Sequence, residues 1–184
     1  MQTNLYFVRH AHSEYTPNEK GRPLSEQGRS DAERIKTILN KENIDHVIAS
    51  PYKRAIQTVE GVAMADNAVI IEDGFKERKL SDGPVHDFQL AVEKVWKEPT
   101  FCWEGGESNT VAQRRGVMVT LKVLEKYQGK NIAVGTHGNI MVLIMNFFDK
   151  RYDYSFWRSL SMPDIFRLIF DQTGLKDVKR IWKE

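Results

Sequence analysis

Residues 5–8, Leu-Tyr-Phe-Val, form a short apolar run that stops at the charged pair Arg9-His10. A run of this length without alternation suits a strand buried on both faces, as in parallel sheets, whose carboxyl end opens onto a ligand crevice. His46-Val47-Ile48-Ala49 reads as a second such strand, 68–71 as a third and 131–135 as a fourth.

Between these runs the apolar residues switch to helical spacing. Ser25 caps a predicted helix over 26–40, along which Ala32, Ile35, Ile38 and Leu39 recur. Ser50-Pro51 reads as a cap followed by proline at the first helical position, where its missing N–H costs nothing. That helix is expected to run to about Ala65, with Arg54 in its first turn. Helices are predicted over 85–97, over 108–127 behind Ser108, and over 139–148; strands over 165–170 and 178–182 close the pattern.

Strands alternating with helices specify the α/β class: a three-layer sandwich with a mainly parallel sheet of about six strands and helices on both faces. At 184 residues, one domain spanning 1–184 is expected. Right-handed crossovers would bring the main strand exits to one edge of the sheet.

Composition excludes several classes. An apolar share of 41% with 28% charged residues is that of a globular chain, not a disordered one. A net charge of +2 with scattered basic residues does not describe a nucleic-acid binder. The apolar stretch 140–144 is broken by Asn146 and Asp149, well short of the ~20 residues a membrane span needs. No leader pattern precedes the first strand, and Cys102 is the only cysteine, so a protein of the reducing cytoplasm is expected. Oligomeric state is left open.

Three strand exits carry Arg9-His10, Ser50-Pro51-Tyr52-Lys53-Arg54 and Thr136-His137-Gly138, and the irregular stretch after the third strand carries Glu77. Two histidines, two arginines and a carboxylate converging at one edge suit phosphoryl transfer through a covalent intermediate. A neutral imidazole nitrogen is a competent nucleophile, and guanidinium forks clamp phosphate oxygens. The same guanidinium charges would disfavour protonation of His10.

Arg9-His10-Ala11, then Leu24-Ser25 with Gly28, then Ser50-Pro51, Arg54-Ala55 and Gln57-Thr58, then Gly105-Gly106-Glu107-Ser108 and Thr136-His137-Gly138, run in an order that resembles the histidine phosphatase superfamily. That superfamily includes cofactor-dependent phosphoglycerate mutases and many phosphatases. The resemblance implies that His10 is the nucleophile and that Arg9, Arg54 and His137 bind the transferring phosphoryl. It also implies that Glu77 protonates the leaving oxygen and later deprotonates the attacking water. Three positions depart from the family pattern. Ala11 stands where the family usually has glycine, Thr16 where it often has asparagine, with Asn18 two residues on, and Phe75-Lys76-Glu77-Arg78 matches the acid segment loosely.

Other polar residues have structural readings. His46 and His86 are expected to be structural, while His12, beside the nucleophile, either touches substrate or is solvated. His10-Ala11-His12 has no acidic or cysteine partners at metal-ligand spacing, so no metal is expected. Lys76, Arg78 and Lys79 read as a solvated face. Ser13 and Thr16 are possible substrate contacts on the loop after His10, and Phe101 and Trp103 are the aromatics best placed to line a pocket. No Gly-x-Ser-x-Gly elbow exists, and Ser13, Ser50 and Ser108 have capping or loop explanations, so a serine hydrolase is excluded.

The expected activity is therefore hydrolysis of small phosphate monoesters through a phosphohistidine, without metal or organic cofactor. Its rivals are mutase-type phosphotransfer, in enzymes that are usually longer, a protein phosphohistidine phosphatase, and a phosphate-binding module without turnover.

Overall fold

The computed structural model describes residues 1–63, 68–83 and 85–183. Six strands form one sheet: β1 (Gln2–Arg9), β2 (His46–Ala49), β3 (Ile70–Ile71), β4 (Asn131–Thr136), β5 (Asp164–Asp171) and β6 (Gly174–Arg180). Their order is β3-β2-β4-β1-β5-β6, parallel from β3 to β1 and antiparallel from β1 to β6. The helices are α1 (Glu26–Leu39), α2 (Lys53–Val59), α3 (Phe88–Lys97), α4 (Asn109–Lys126), α5 (Gly138–Phe148) and α6 (Tyr154–Arg158).

Strand alternation sorts the core into two layers. Leu5, Phe7, Ile132 and Val134 pack with Val119 and Val123 of α4 and Ile140 and Ile144 of α5. Tyr6, Val8, Val47 and Ala49 pack on the opposite face with Ile35 and Leu39 of α1 and Val59 of α2. Both faces are covered, which is why the central strands read as continuous apolar runs.

Several boundaries differ from the sequence reading for physical reasons. Helix α2 begins at Lys53, behind Tyr52, so Pro51 lies outside it. The Ser50 hydroxyl is engaged by His137 instead of capping. After Val59 the chain tightens into a 3-10 turn over Glu60–Val62, and the expected end near Ala65 falls outside the described residues. Strand β3 covers only Ile70–Ile71, and α3 starts at Phe88, where Asp87 accepts from the Leu90 N–H at 3.0 Å. Strand β6 begins earlier than 178. A register shift at Ile169/Phe170 breaks the two-residue alternation that would have marked it. Helix α6 has five residues, too few to show a period, although Asp153 caps it.

Register positions the site. Arg9 lies opposite Thr136, and Ala49 opposite Gly135, so β1, β4 and β2 end level with one another. The first turn of α1 packs against the segment leaving β1 so closely that a Cβ on Gly28 would lie 2.0 Å from the His12 carbonyl oxygen. Gly28→Ala should therefore lower stability by about 1–3 kcal/mol, as overpacking does, read as a drop in the urea midpoint at unchanged slope.

Candidate active site

Two main-chain hydrogen bonds carry the ladders one residue past the strands, His10 N–H to Thr136 O at 3.0 Å and Ser50 N–H to Gly135 O at 2.9 Å. His10 and Ser50 thus leave the sheet on either side of His137. The His10 and His137 rings meet edge to face with centroids 5.2 Å apart, and both residues are buried.

The His10 ring has a defined tautomer. Its Nδ1 lies 2.8 Å from the Ala11 carbonyl oxygen, which can only accept, so Nδ1 carries the proton and Nε2 the lone pair. Arg54 Nε–H donates to that Nε2 at 3.2 Å. Arg54 Nη1 donates to the Glu19 carbonyl at 2.9 Å, and its Nη2 reaches the Glu19 carboxylate at 3.4 Å. The guanidinium also lies 4.7 Å from the centroid of the Tyr52 ring. Thr58 ties the two segments together: its Oγ1 accepts from Ala11 N–H at 3.0 Å and donates to Arg54 O at 2.7 Å.

Arg9 is held from the other side. Its Nη1 donates to Ser161 O at 2.9 Å and Leu160 O at 3.3 Å. Those carbonyls are fixed by fully buried Asp164, which accepts from Ser161 N–H at 3.0 Å and from Arg180 at 2.9 and 2.8 Å. A Cβ on Gly138 would lie 3.0 Å from Arg9 Nε, so glycine there lets the guanidinium approach the start of α5. Glu77 meets that helix end too. Its carboxylate accepts from the main-chain N–H groups of Arg78 at 2.8 Å, Ile140 at 3.0 Å and Asn139 at 3.1 Å. Three of roughly four lone-pair positions are filled, and one on Oε2 is left for a proton or a ligand.

Burial is the largest cause that pushes His10 down to about 3, followed by the Arg54 cation and, more weakly, by Arg9; the Ala11 carbonyl opposes them. His137 is lowered well below the ordinary histidine range, first by burial and then by His10, Arg54, Arg115 and Arg9. Both imidazoles are neutral at pH 7. The arginines alone were the expected cause; desolvation outweighs them.

The remaining sequence candidates have varied roles. Ala11 is fully buried, and its φ is not among the positive ones, so the backbone here does not require glycine. His12 Nδ1 pairs with Ser25 Oγ at 2.8 Å, at the cap of α1. Ser13 bridges to Leu24, and the Thr16 hydroxyl donates to Asn18 O at 3.0 Å, within its own loop. Phe101 packs edge to face on Trp103 at 4.8 Å. Trp103 lines a cavity of about 530 Å³ with Ser81, Val85, His86, Leu90 and Lys94, but neither Phe101 nor His10, Arg54, Glu77 or His137 lines it. Arg78 does not belong to a solvated face: it is 5% exposed, and its Nε and Nη1 have no partner among the described residues. Two contacts escaped the sequence reading. Ser50, which the sequence reads as a cap, meets His137, and nothing in the sequence marks Glu19 as a partner of Arg54.

A family model for the histidine phosphatase superfamily (branch 1) matches residues 5–176. The chain belongs to the histidine phosphatase superfamily. It is an enzyme of the histidine phosphatase type. This histidine phosphatase is 26% identical over 150 residues to Phosphoserine phosphatase 1 of Hydrogenobacter thermophilus, across 72% of the chain and 70% of that protein. It is 28% identical over 155 residues to Phosphoglycerate mutase-like protein 4 of Arabidopsis thaliana, across 74% of the chain and 67% of the relative. The native structure of a mycobacterial glucosyl-3-phosphoglycerate phosphatase shares the fold, with a TM-score of 0.75 at 17% identity over 98% of both chains.

Neutral buried imidazoles make the stability of this histidine phosphatase depend on pH. The folded pKa of His10 lies below the ordinary 6.5 of an unfolded histidine, so on acidification the unfolded chain takes up protons first. Stability should fall as pH drops from about 6.5 towards 3, by up to about 1.4 kcal/mol per pH unit for each such histidine. His10→Asn should remove about 2 kcal/mol of that loss at pH 5, measured by urea unfolding at pH 7 and pH 5. A wild-type midpoint equal at both pH values would show that the imidazoles protonate in the fold.

Proposed function

We propose that the chain hydrolyses small phosphate monoesters through a phosphohistidine at Nε2 of His10. The observation that carries this reading is the Arg54 Nε–H bond to the His10 Nε2 lone pair. Nucleophile and phosphate clamp face each other, and an incoming phosphoryl group takes the clamp's hydrogen bonds while exposing the lone pair to phosphorus.

In the first step the Nε2 lone pair forms a bond to phosphorus as the bond to the ester oxygen breaks. The electrons of that bond go to the leaving oxygen, which takes a proton from Glu77 at its free Oε2 position. The phosphorylated ring is cationic, and its Nδ1–H remains bonded to the Ala11 carbonyl. In the second step a water oxygen attacks phosphorus, gives its proton to Glu77, and the N–P electrons return to His10. Arg9, Arg54 and His137 hold the phosphoryl oxygens throughout, which is electrostatic stabilisation by groups already in place.

The named activity of the Hydrogenobacter relative supports a small phosphorylated substrate of the phosphoserine kind. The reading takes residues 1–184 as one catalytic domain, supported by a single sheet that draws strands from Gln2 to Arg180. A cytoplasmic location belongs to the same proposal, supported by the free, exposed thiol of Cys102. No helix among the described residues is long and apolar enough to cross a membrane.

Release of phosphate from an aryl phosphate and from a panel of esters that includes phosphoserine and 3-phosphoglycerate tests the activity. His10→Ala should abolish release while circular dichroism and the melting temperature stay close to wild type. A variant as active as the parent would end the covalent reading. Glu77→Gln should slow alkyl phosphates by about 100-fold or more, and aryl phosphates with good leaving groups much less. Equal losses on the two classes would place the acid elsewhere.

A further inference from the structure

Ser50 and His137 are both fully buried, and Ser50 Oγ lies 2.7 Å from His137 Nε2. Distance alone does not say which atom donates. Hydrogen-bond accounting decides it. Ser50 Oγ already accepts from the Tyr52 N–H at 3.3 Å, and among the described residues the only acceptor within reach of its hydroxyl proton is His137 Nε2. If Nε2 carried the proton, the serine hydroxyl proton and the ring Nδ1 would both be buried without partners. If Nδ1 carries it, only Nδ1–H is left over. His137 Nδ1 does lack a partner among the described residues.

We infer that Ser50 is a positioning residue that holds neutral His137 in its Nδ1–H tautomer, so that the ring presents a hydrogen-bond donor for which the arriving phosphoryl oxygen is the acceptor. This inference rests on the phosphoryl-binding role proposed for His137 and adds to it the donor atom, the charge state and the residue that sets them. Three observations agree with it. The ring is edge-on to His10, whose own tautomer places its lone pair on Nε2, so one imidazole supplies electrons and its neighbour a proton to hydrogen-bond. The Tyr52 ring closes on His137 at a centroid distance of 4.9 Å, which limits rotation that would exchange its two nitrogens. Burial and the cations of Arg54, Arg9 and Arg115 keep the imidazole from taking a second proton.

Long-range proton–nitrogen correlation spectra of ¹⁵N-labelled full-length protein report the tautomer directly, without turnover. The expected wild-type result at pH 7 is a proton on Nδ1 and a free Nε2 at His137, with the Nδ1 signals moving on titration with inorganic phosphate. Ser50→Ala should lose the single tautomer and bind inorganic phosphate about tenfold more weakly. A wild-type proton on Nε2 would overturn the assignment, and so would a Ser50→Ala protein that keeps both the wild-type tautomer and the wild-type phosphate affinity. The ester panel separates this from the activity itself. No release from any ester, with tautomer and phosphate response as expected, removes the phosphatase reading and leaves the assignment; release together with an Nε2 proton does the reverse.

Discussion

The level ends of three parallel strands govern everything at this site. Arg9 against Thr136 and Ala49 against Gly135 fix the register of β1, β4 and β2. His10 and Ser50 extend the ladders by one bond each, and so leave the sheet flanking His137. A slip of one residue in any of the three would turn every side chain on that strand to the opposite face. Such a slip is resisted because both faces are buried, with Phe7 and Val134 in one apolar layer and Val8 and Ala133 in the other.

Once the exits are aligned, burial sets the chemistry. Taking two imidazoles out of water beside two guanidinium groups keeps both rings neutral, which suits one for nucleophilic attack and the other for hydrogen bonding. The arginines are tolerated in the same surroundings because each has carbonyl acceptors. Glu19 serves Arg54, and the carbonyls of Leu160 and Ser161 serve Arg9. Among the described residues the one carboxylate in ion-pair contact with Arg54 is that of Glu19, which is 55% exposed and meets it at 3.4 Å. An anion entering between His10 and Arg54 therefore meets positive charge that is fixed in place but incompletely paired.

The antiparallel strands β5 and β6 carry none of the side chains proposed to be catalytic, yet they determine where Arg9 sits. Asp164 and Arg180 form a pair between them, and that pair anchors the Ser161 main chain whose carbonyl holds Arg9. Removing Arg180 would leave the fully buried Asp164 carboxylate without its cation, and removing Asp164 would free the Ser161 main chain whose carbonyl holds Arg9.

The α/β alternation, the four parallel strands and the motif residues Arg9, His10, Arg54 and His137 were legible in the chain because each leaves a local mark. Apolar runs have a period, caps have a chemistry, and strand exits carry unusual polar residues. What tertiary structure alone decided is where each polar atom finds its partner. Ser50 looked like a cap until His137, 87 residues away, took its hydroxyl. Glu19 reaches Arg54 across 35 residues and Ser161 reaches Arg9 across 152. The burial of Arg78 and the start of β6 are likewise hidden, since packing from distant elements sets the first and a bulge within β6, at Lys176, the second. Sequence spacing encodes what a residue does within its own turn or strand. Which donor meets which acceptor between segments depends on sheet register and helix packing, and those exist only after the chain has folded.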